Sequence, residues 1–191
     1  MCRVSPNCVL LVDDDPSLRR LLSTRLENAG FETREAEDGI DGLAKLRKGL
    51  PSAIISDLGM PRMSGFEFVS VVRRRFPCVA VIVLSGSIPE EVPDGPQPDV
   101  WFEKDSLNFA KLLQTLRDLA RETPEHPDLA QRVTAIRTQP GSGDTFTLTC
   151  PDCLRTFTAI CLPEDKTVEQ IAACPHCEAQ VPFQLETATS P

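Results

Sequence analysis

Four short apolar runs near the start of the chain are each followed within two residues by a polar or charged side chain. The runs are 9–12, 53–55, 79–84 and 100–102, and the residues that follow them are Asp13 and Asp14, Asp57, Ser85, and Lys104. Short runs of this kind predict buried strands. Because the carboxyl ends of parallel strands meet at one edge of a sheet, we expect these five side chains to converge.

The segments between these runs have helical periodicity. Apolar residues recur at helical spacing in 16–29, 38–50, 64–76 and 106–121, and Phe31–Ala36 alternates like a further strand. Asp15 and Pro16 suit the N-cap and the first position of the first helix. The alternation of strands and helices predicts an α/β fold, a doubly wound parallel sheet of five strands.

The segment 87–99 departs from this alternation. A helix is expected there, yet the segment contains Pro89, Pro93, Pro96 and Pro98 together with Gly95. An interior proline costs a helix about 3 kcal/mol. We therefore expect a degraded fourth helix of one turn at most.

The group of acids at the predicted sheet edge indicates a cation site. Carboxylates a few ångströms apart raise one another's pKa unless a cation lies between them. Mg²⁺ binds one or two carboxylates and keeps coordination positions for water and a phosphate oxygen. Ser85 and Lys104 can hold phosphoryl oxygens, so Asp57 is a candidate nucleophile that would form an aspartyl phosphate.

Composition limits the compartment and the partners. The chain has a net charge of -8, and we find neither a membrane-spanning apolar stretch nor a signal peptide, so we expect a cytoplasmic protein. Eight cysteines in a reducing compartment favour metal binding over disulfides. Cys8 and Cys78 lack partners at ligand spacing and are expected to be ordinary thiols. Without a basic face, nucleic-acid binding is disfavoured.

Two Cys-x-x-Cys pairs near the C-terminus predict a structural zinc site. Cys150 and Cys153 form one pair, and Cys174 and Cys177 form the other. Such pairs place four sulfurs around one ion, which indicates a small β zinc ribbon over 144–187. A dithiol redox pair and disulfides are the disfavoured alternatives. His176 is expected to be a surface turn residue.

The N-terminal motifs resemble the receiver domain of bacterial two-component response regulators. The resemblance covers about residues 7–121 and rests on Val12-Asp13-Asp14, Asp57-Leu58-Gly59-Met60-Pro61, Leu84-Ser85-Gly86 and Phe102-Glu103-Lys104. It implies a flavodoxin-like receiver domain over 1–122. A linker over 123–143, with a short helix at 128–137, would then lead to the ribbon and to a tail at 188–191.

The resemblance also implies a role for each site residue. Asp57 would be the phosphoacceptor, Asp14 a direct Mg²⁺ ligand, Asp13 a ligand largely through water, and the Gly59 carbonyl a backbone ligand. Ser85 would be the switch hydroxyl, Lys104 the phosphate partner and Trp101 the switch aromatic. Asp105 departs from the family, which usually has proline after the lysine.

These features predict a phosphorylation-controlled signalling protein rather than an enzyme, apart from self-phosphorylation and autodephosphorylation. A histidine kinase or phosphotransfer protein would supply the phosphoryl group, and a downstream protein partner would read it. The first alternative is a constitutive adaptor whose receiver is never phosphorylated. The second is a DNA-binding regulator, which the charge of residues 140–191 (2 Lys/Arg against 7 Asp/Glu) disfavours.

Overall fold

The computed structural model describes residues 4–86, 97–121, 136–138, 145–160 and 170–185. Most of the expected fourth helix and most of the linker lie outside these ranges. Residues 97–99 are described and are not helical. Within the described ranges, no helix is both long enough and apolar enough to cross a bilayer.

The N-terminal domain is a doubly wound α/β sheet, as predicted. Its strands are β1 (Val4–Val12), β2 (Glu32–Ala36), β3 (Leu50–Asp57), β4 (Ala80–Ser85) and β5 (Val100–Glu103), and its helices are α1 (Pro16–Asn28), α2 (Gly39–Leu46), α3 (Gly65–Arg75) and α4 (Phe109–Arg121). All five strands are parallel, in the order β2-β1-β3-β4-β5. This is the flavodoxin-like order.

Two apolar clusters cover the two faces of this sheet. Leu10, Ile54 and Val81 face the cluster that contains residues of α2 and α3. Their neighbours along the strands face the other cluster, which contains residues of α1 and α4. This alternation follows from the two-residue period of a strand, and burial on both faces explains the nearly continuous apolar runs.

Several element boundaries differ from the sequence prediction. Helix α2 ends at Leu46, although we expected it to continue to Leu50. Leu50 is instead the first residue of β3, and Gly49, with φ of +154°, precedes it. Helix α4 begins at Phe109 rather than Ser106. Strand β1 begins at Val4 rather than Val9, because Val4 pairs with Leu50 beyond an irregularity in the ladder.

The C-terminal domain consists of short strands. They are β6 (Ile136–Thr138), β7 (Thr145–Thr149), β8 (Thr156–Ile160), β9 (Gln170–Ala173) and β10 (Gln180–Leu185). Strands β6, β10 and β9 form one sheet, and β7 and β8 form an antiparallel pair. The prediction of a linker helix is wrong at its end, because Ile136 and Arg137 lie in β6. Pairing of Ile136 with Phe183, and its complete burial, account for the strand.

A buried ion pair anchors the chain just before β5. The side chain of Arg73, on α3, is fully buried and its guanidinium lies 2.7 Å from Asp99 Oδ2. Its Nε donates to the carbonyl of Gln97 at 2.9 Å and its Nη1 to that of Val79 at 3.0 Å. Asp99 also accepts from the Val81 N–H. Arg73 therefore connects α3 with the segment that leads into β5.

We expect Arg73→Met to lower the free energy of unfolding by about 3–5 kcal/mol, because it leaves Asp99 as a buried charge without its guanidinium partner. Denaturant unfolding of the full chain measures the change. The control is Arg75→Met, at an exposed position two residues further along α3, which should change stability by about 0.5 kcal/mol or less. Equal effects of the two substitutions would contradict this role of the ion pair.

Candidate functional site

Three acids converge at the carboxyl edge of the N-terminal sheet. Asp13 and Asp14 directly follow β1, and Asp57 is the last residue of β3. Asp13, Asp14 and Asp57 each offer one oxygen atom, and these atoms all lie within 4.8 Å of one another. Asp13 and Asp57 are buried and Asp14 is exposed, so the cluster is open to solvent on one side.

Lys104, the residue directly after β5, joins this cluster. Its backbone N–H donates to the carbonyl of Ser85 at 2.8 Å, which holds the ends of β4 and β5 together. Its Nζ lies 2.9 Å from Asp13 Oδ2 and 2.9 Å from Asp57 Oδ2. Burial by itself would lower the pKa of Lys104, but the hydrogen bonds and charges of Asp13 and Asp57 outweigh it and raise that pKa. Lys104 is therefore a cation fixed between two acids.

The electrostatics of Asp13 favour a bound cation. Burial raises the pKa of this carboxyl, even though Lys104 and the backbone N–H of Asp15 lower it in part. The ionised form of Asp13 therefore has a free-energy cost that a nearby cation would reduce. Clustered carboxylate oxygens, one of them exposed, are a donor set that suits Mg²⁺. The residues present fit this ion.

The loop after β3 holds Asp57 in place. Asp57 Oδ1 accepts a hydrogen bond of 2.7 Å from the Leu58 N–H. The position that a Gly59 Cβ would occupy is 3.9 Å from Asp57 Oδ2, so this glycine lies close to the carboxylate. At Gly65 a Cβ would lie 2.1 Å from the Asp57 carbonyl oxygen, and only glycine allows this close approach.

Arg62 is a residue of this loop that sequence reasoning missed. It has a left-handed φ of 66°, and its guanidinium forms ion pairs with Glu37, at 2.7 Å, and with Asp38. Asp38 is fully buried and caps α2. Arg62 thus joins the loop that bears Gly59 to the loop between β2 and α2. No local pattern indicates such a pair, because its members are about 25 residues apart.

The structure places both predicted switch residues on neighbouring strands. Ser85 is buried at the end of β4, in register with Glu103 of β5. Trp101 lies on β5 and is partly buried, with its ring centroid 6.2 Å from that of Phe66 on α3. The Lys104–Asp105 peptide is trans. Ser85 therefore lies at the same edge of the sheet as the acids, and Trp101 lies on β5 further from that edge.

The four predicted zinc ligands converge in the C-terminal domain. The sulfurs of Cys150, Cys153, Cys174 and Cys177 lie within 4.8 Å of one another. Across the two pairs, the sulfurs of Cys150 and Cys177 are 3.6 Å apart and those of Cys153 and Cys174 are 3.7 Å apart. Tetrahedral zinc with bonds of about 2.3 Å would place its sulfurs about 3.8 Å apart. The geometry of the sulfurs fits zinc.

Both cysteine pairs lie on the same type of backbone turn. The N–H of Leu154 donates to the Cys150 carbonyl at 2.8 Å, and the N–H of Glu178 donates to the Cys174 carbonyl at the same distance. Leu154 and Glu178 each have a left-handed φ, of 55° and 62°. We call each turn a knuckle: the first is 150–154 and the second is 174–178. Glycine is the residue that favours this conformation, and neither position is a glycine. The amino-acid sequence therefore did not indicate a left-handed φ at Leu154 or at Glu178.

The thiols of the two knuckles differ in pKa. Burial raises the pKa of the Cys150 thiol to about 12. Burial would also raise the pKa of Cys174, but the backbone N–H groups of His176 and Cys177 outweigh it and lower that pKa. Zinc binds thiolates, so an ion at this site would have to displace the proton of Cys150.

Cys8, Cys78 and His176 lie outside this cluster. Cys8 is a buried free thiol, as expected. Cys78 is disulfide-bonded, so the expectation of an ordinary thiol at that position is wrong. His176 is exposed, with its Nε2 3.3 Å from the carbonyl oxygen of Thr156, in agreement with its prediction as a surface residue.

Comparison with other protein sequences supports the resemblance of the N-terminal domain to receiver domains. A family model for the response regulator receiver domain matches residues 9–93. The transcriptional regulatory protein GlrR of Escherichia coli K12 is 32% identical over 137 residues, which cover 71% of this chain and 31% of GlrR. The chain thus spans about a third of the length of this curated relative.

Solved structures match the same domain over nearly their whole length. The chemotaxis protein CheY4 of Vibrio cholerae is 36% identical, with a TM-score of 0.55, over 59% of this chain and 97% of CheY4. The response regulator protein TrrA of Thermotoga maritima is 31% identical, with a TM-score of 0.54, over the same two shares. TrrA has been solved in complex with Mg²⁺-BeF and in complex with the histidine kinase ThkA.

The family match, the identity to CheY4 and the order of the five parallel strands agree with one another. Through its N-terminal domain, this chain belongs to the response regulator receiver family.

Proposed function

We propose that the protein is a phosphorylation-controlled signalling protein that accepts a phosphoryl group on Asp57. The observation that carries this proposal is the position of Lys104 Nζ, 2.9 Å from both Asp57 and Asp13 in a cluster of three acids. The complex of TrrA with a histidine kinase supports a kinase or a phosphotransfer protein as the donor. GlrR and CheY4 support signalling, while this chain's own partners are part of the proposal.

In the proposed transfer, an oxygen of the Asp57 carboxylate forms a bond to the phosphorus of a donor phosphohistidine. The phosphorus–nitrogen bond breaks, its electron pair stays on the imidazole nitrogen, and that nitrogen takes a proton from solvent. Lys104 lies close enough to Asp57 to contact a phosphoryl oxygen there. Leu58 donates its N–H to Asp57 Oδ1 and so orients the carboxylate for attack.

Asp13, Asp14, Asp57 and the carbonyl of Gly59 would hold Mg²⁺. When bound, this ion would neutralise negative charge on the carboxylates and on the phosphoryl oxygens. Asp14 is the exposed member of the set and the first that an ion from solvent would meet. Burial raises the pKa of Asp13, so the positive charge of the ion would favour its ionised form.

The phosphorylated carboxyl would attract Ser85 and Lys104. A phosphoryl group brings a charge of about -1.5 to -2 and three acceptor oxygens. The Lys104 N–H is bonded to the Ser85 carbonyl, so a displacement of one strand end would affect the other. Trp101, two residues before Glu103 on β5, would report the change as the switch aromatic.

The C-terminal domain would be a zinc ribbon with a structural ion. The sulfur distances of 3.6 and 3.7 Å across the two knuckles support this assignment. A domain with so few residues buries little apolar surface, and a metal would supply the missing stability. Together with the receiver, the ribbon would contact a downstream protein partner. We propose that the protein has no enzyme activity beyond self-phosphorylation and autodephosphorylation. We propose the cytoplasm as its compartment.

We expect purified protein treated with Mg²⁺ and acetyl phosphate to gain one phosphoryl group, and Asp57→Asn to gain none, because the amide is not a nucleophile. Intact-protein mass spectrometry measures the adduct. Asp105→Asn is the matched control, since this exposed acid is next to Lys104 but outside the cluster. An adduct on Asp57→Asn would place the reaction elsewhere. Wild-type protein without an adduct would favour a constitutive adaptor.

We expect Mg²⁺ to raise the free energy of unfolding, by about 1.4 kcal/mol at ten times its Kd, because it binds the folded acid cluster. Asp14→Asn should remove most of this effect. Asp15→Asn should keep it, because asparagine also caps helices and Asp15 lies outside the cluster. Thermal unfolding with and without Mg²⁺ gives the comparison. An effect of Mg²⁺ that survives in Asp14→Asn would exclude this ion site.

We expect one zinc ion per chain, with an apparent affinity that rises from about pH 6 to about pH 8. The raised pKa of Cys150 means that zinc competes with a proton, and this competition weakens as pH rises. Competition with a coloured chelator gives the affinity, and elemental analysis gives the stoichiometry. Cys153→Ser should weaken binding strongly, whereas Cys8→Ser should leave it unchanged. A pH-independent affinity would contradict a protonated Cys150.

A further inference from the structure

The two knuckles share one backbone geometry but lie in opposite surroundings. In the first knuckle, Cys150, Pro151 and Leu154 are buried, and Leu154 is only 8% exposed. In the second, all residues from Pro175 to Glu178 are exposed. The residue with left-handed φ is apolar in the first knuckle and charged in the second. The first knuckle is therefore covered by another part of the protein.

The receiver domain supplies this cover. Leu154 belongs to the same apolar cluster as Leu46 of α2, and Leu50 and Phe76 pack against that cluster. Leu46, Leu50, Phe76 and Leu154 also line a cleft of about 450 Å³ between the two domains. The region of the receiver involved comprises the end of α2, the start of β3 and the end of α3.

Arg47 adds a polar contact between the same two parts. Its Nη2 donates to the carbonyl of Cys153 at 3.1 Å and also to that of Leu154. Both carbonyls belong to the first knuckle, so a receiver side chain bonds directly to the backbone that bears a proposed zinc ligand. Arg47 directly follows α2, whose end is fixed by the burial of Leu46.

Packing distinguishes Leu154 from the residue of the same conformation in the second knuckle. A left-handed φ is unfavourable for a residue with a Cβ, and glycine would adopt it without cost. At the equivalent position, the exposed Glu178 gains no comparable packing. The burial of Leu154 against the receiver offsets the conformational cost at that position.

We propose that zinc binding and docking of the ribbon on the receiver are one coupled event, and that Arg47 and Leu154 are the residues that couple them. Arg47 is a positioning residue of the zinc site, because it fixes the carbonyls of the first knuckle's second ligand, Cys153, and of the residue that follows it. Coupling between two equilibria is reciprocal, so zinc stabilises the docked edge of the receiver and docking strengthens zinc binding. This inference rests on the zinc site proposed above.

Hydrogen exchange of the full chain, loaded with zinc or stripped by a chelator, tests the coupling. We expect zinc removal to speed amide exchange in residues 46–50 and 72–79 by about fivefold or more. Leu154→Gly and Arg47→Gln should each abolish most of this difference. Glu178→Gly is the matched control, since it makes the same backbone change in the exposed knuckle, and it should keep the wild-type difference.

Zinc affinity is the reciprocal readout. Leu154→Gly and Arg47→Gln should bind zinc more weakly than Glu178→Gly when each competes with the same chelator. If wild-type protein binds zinc but its receiver exchange changes by less than about fivefold on stripping, the coupling is refuted and the zinc site stands. If Leu154→Gly and Glu178→Gly behave alike in both measurements, the coupling is also refuted. Wild-type protein that binds no zinc would refute the zinc site and the coupling together.

Discussion

The contact of Lys104 with Asp13 and Asp57 is the interaction on which the N-terminal site depends. Two of the three acids are buried, and carboxylates this close oppose one another's ionisation. When all three are ionised, the single positive charge of Lys104 leaves two negative charges of the cluster uncompensated. A divalent cation supplies that balance, whereas a second lysine would supply half of it and fill the space that a phosphoryl group needs. The excess of two negative charges in the cluster is therefore a property that suits the proposed reaction.

The frame of this site could be predicted from sequence because parallel-sheet geometry leaves few choices. Strands buried on both faces appear as apolar runs, and their carboxyl ends must share one edge. The positions of Asp13, Asp57 and Lys104 follow from those two facts. The ion pairs of Arg73 with Asp99 and of Arg62 with Glu37 could not be predicted, since each joins residues on separate elements whose facing positions only the folded chain defines.

The C-terminal domain shows the same division between local and tertiary information. The spacing of the cysteines predicts the sulfur cluster because each knuckle is a local turn. Strands β6 and β9 are only three and four residues long, which is too short for a clear strand pattern in the sequence. They exist because β10 pairs with both, so Ile136 was misassigned to a helix. Leu154 was missed for a related reason, because its packing partners belong to the receiver.

The two sites lie at opposite ends of one strand. Strand β3 begins at Leu50, in the cleft beside the first knuckle, and ends at Asp57. Eight residues of strand span about 23 Å from the first Cα to the last. A phosphoryl group on Asp57 is therefore too far from the first knuckle to touch it, and any influence of one site on the other must pass through the receiver. Because β3 is paired on both sides, by β1 and β4, it is a rigid connection rather than a hinge. The C-terminal domain contacts the far edge of the receiver and so leaves the acid cluster accessible from solvent.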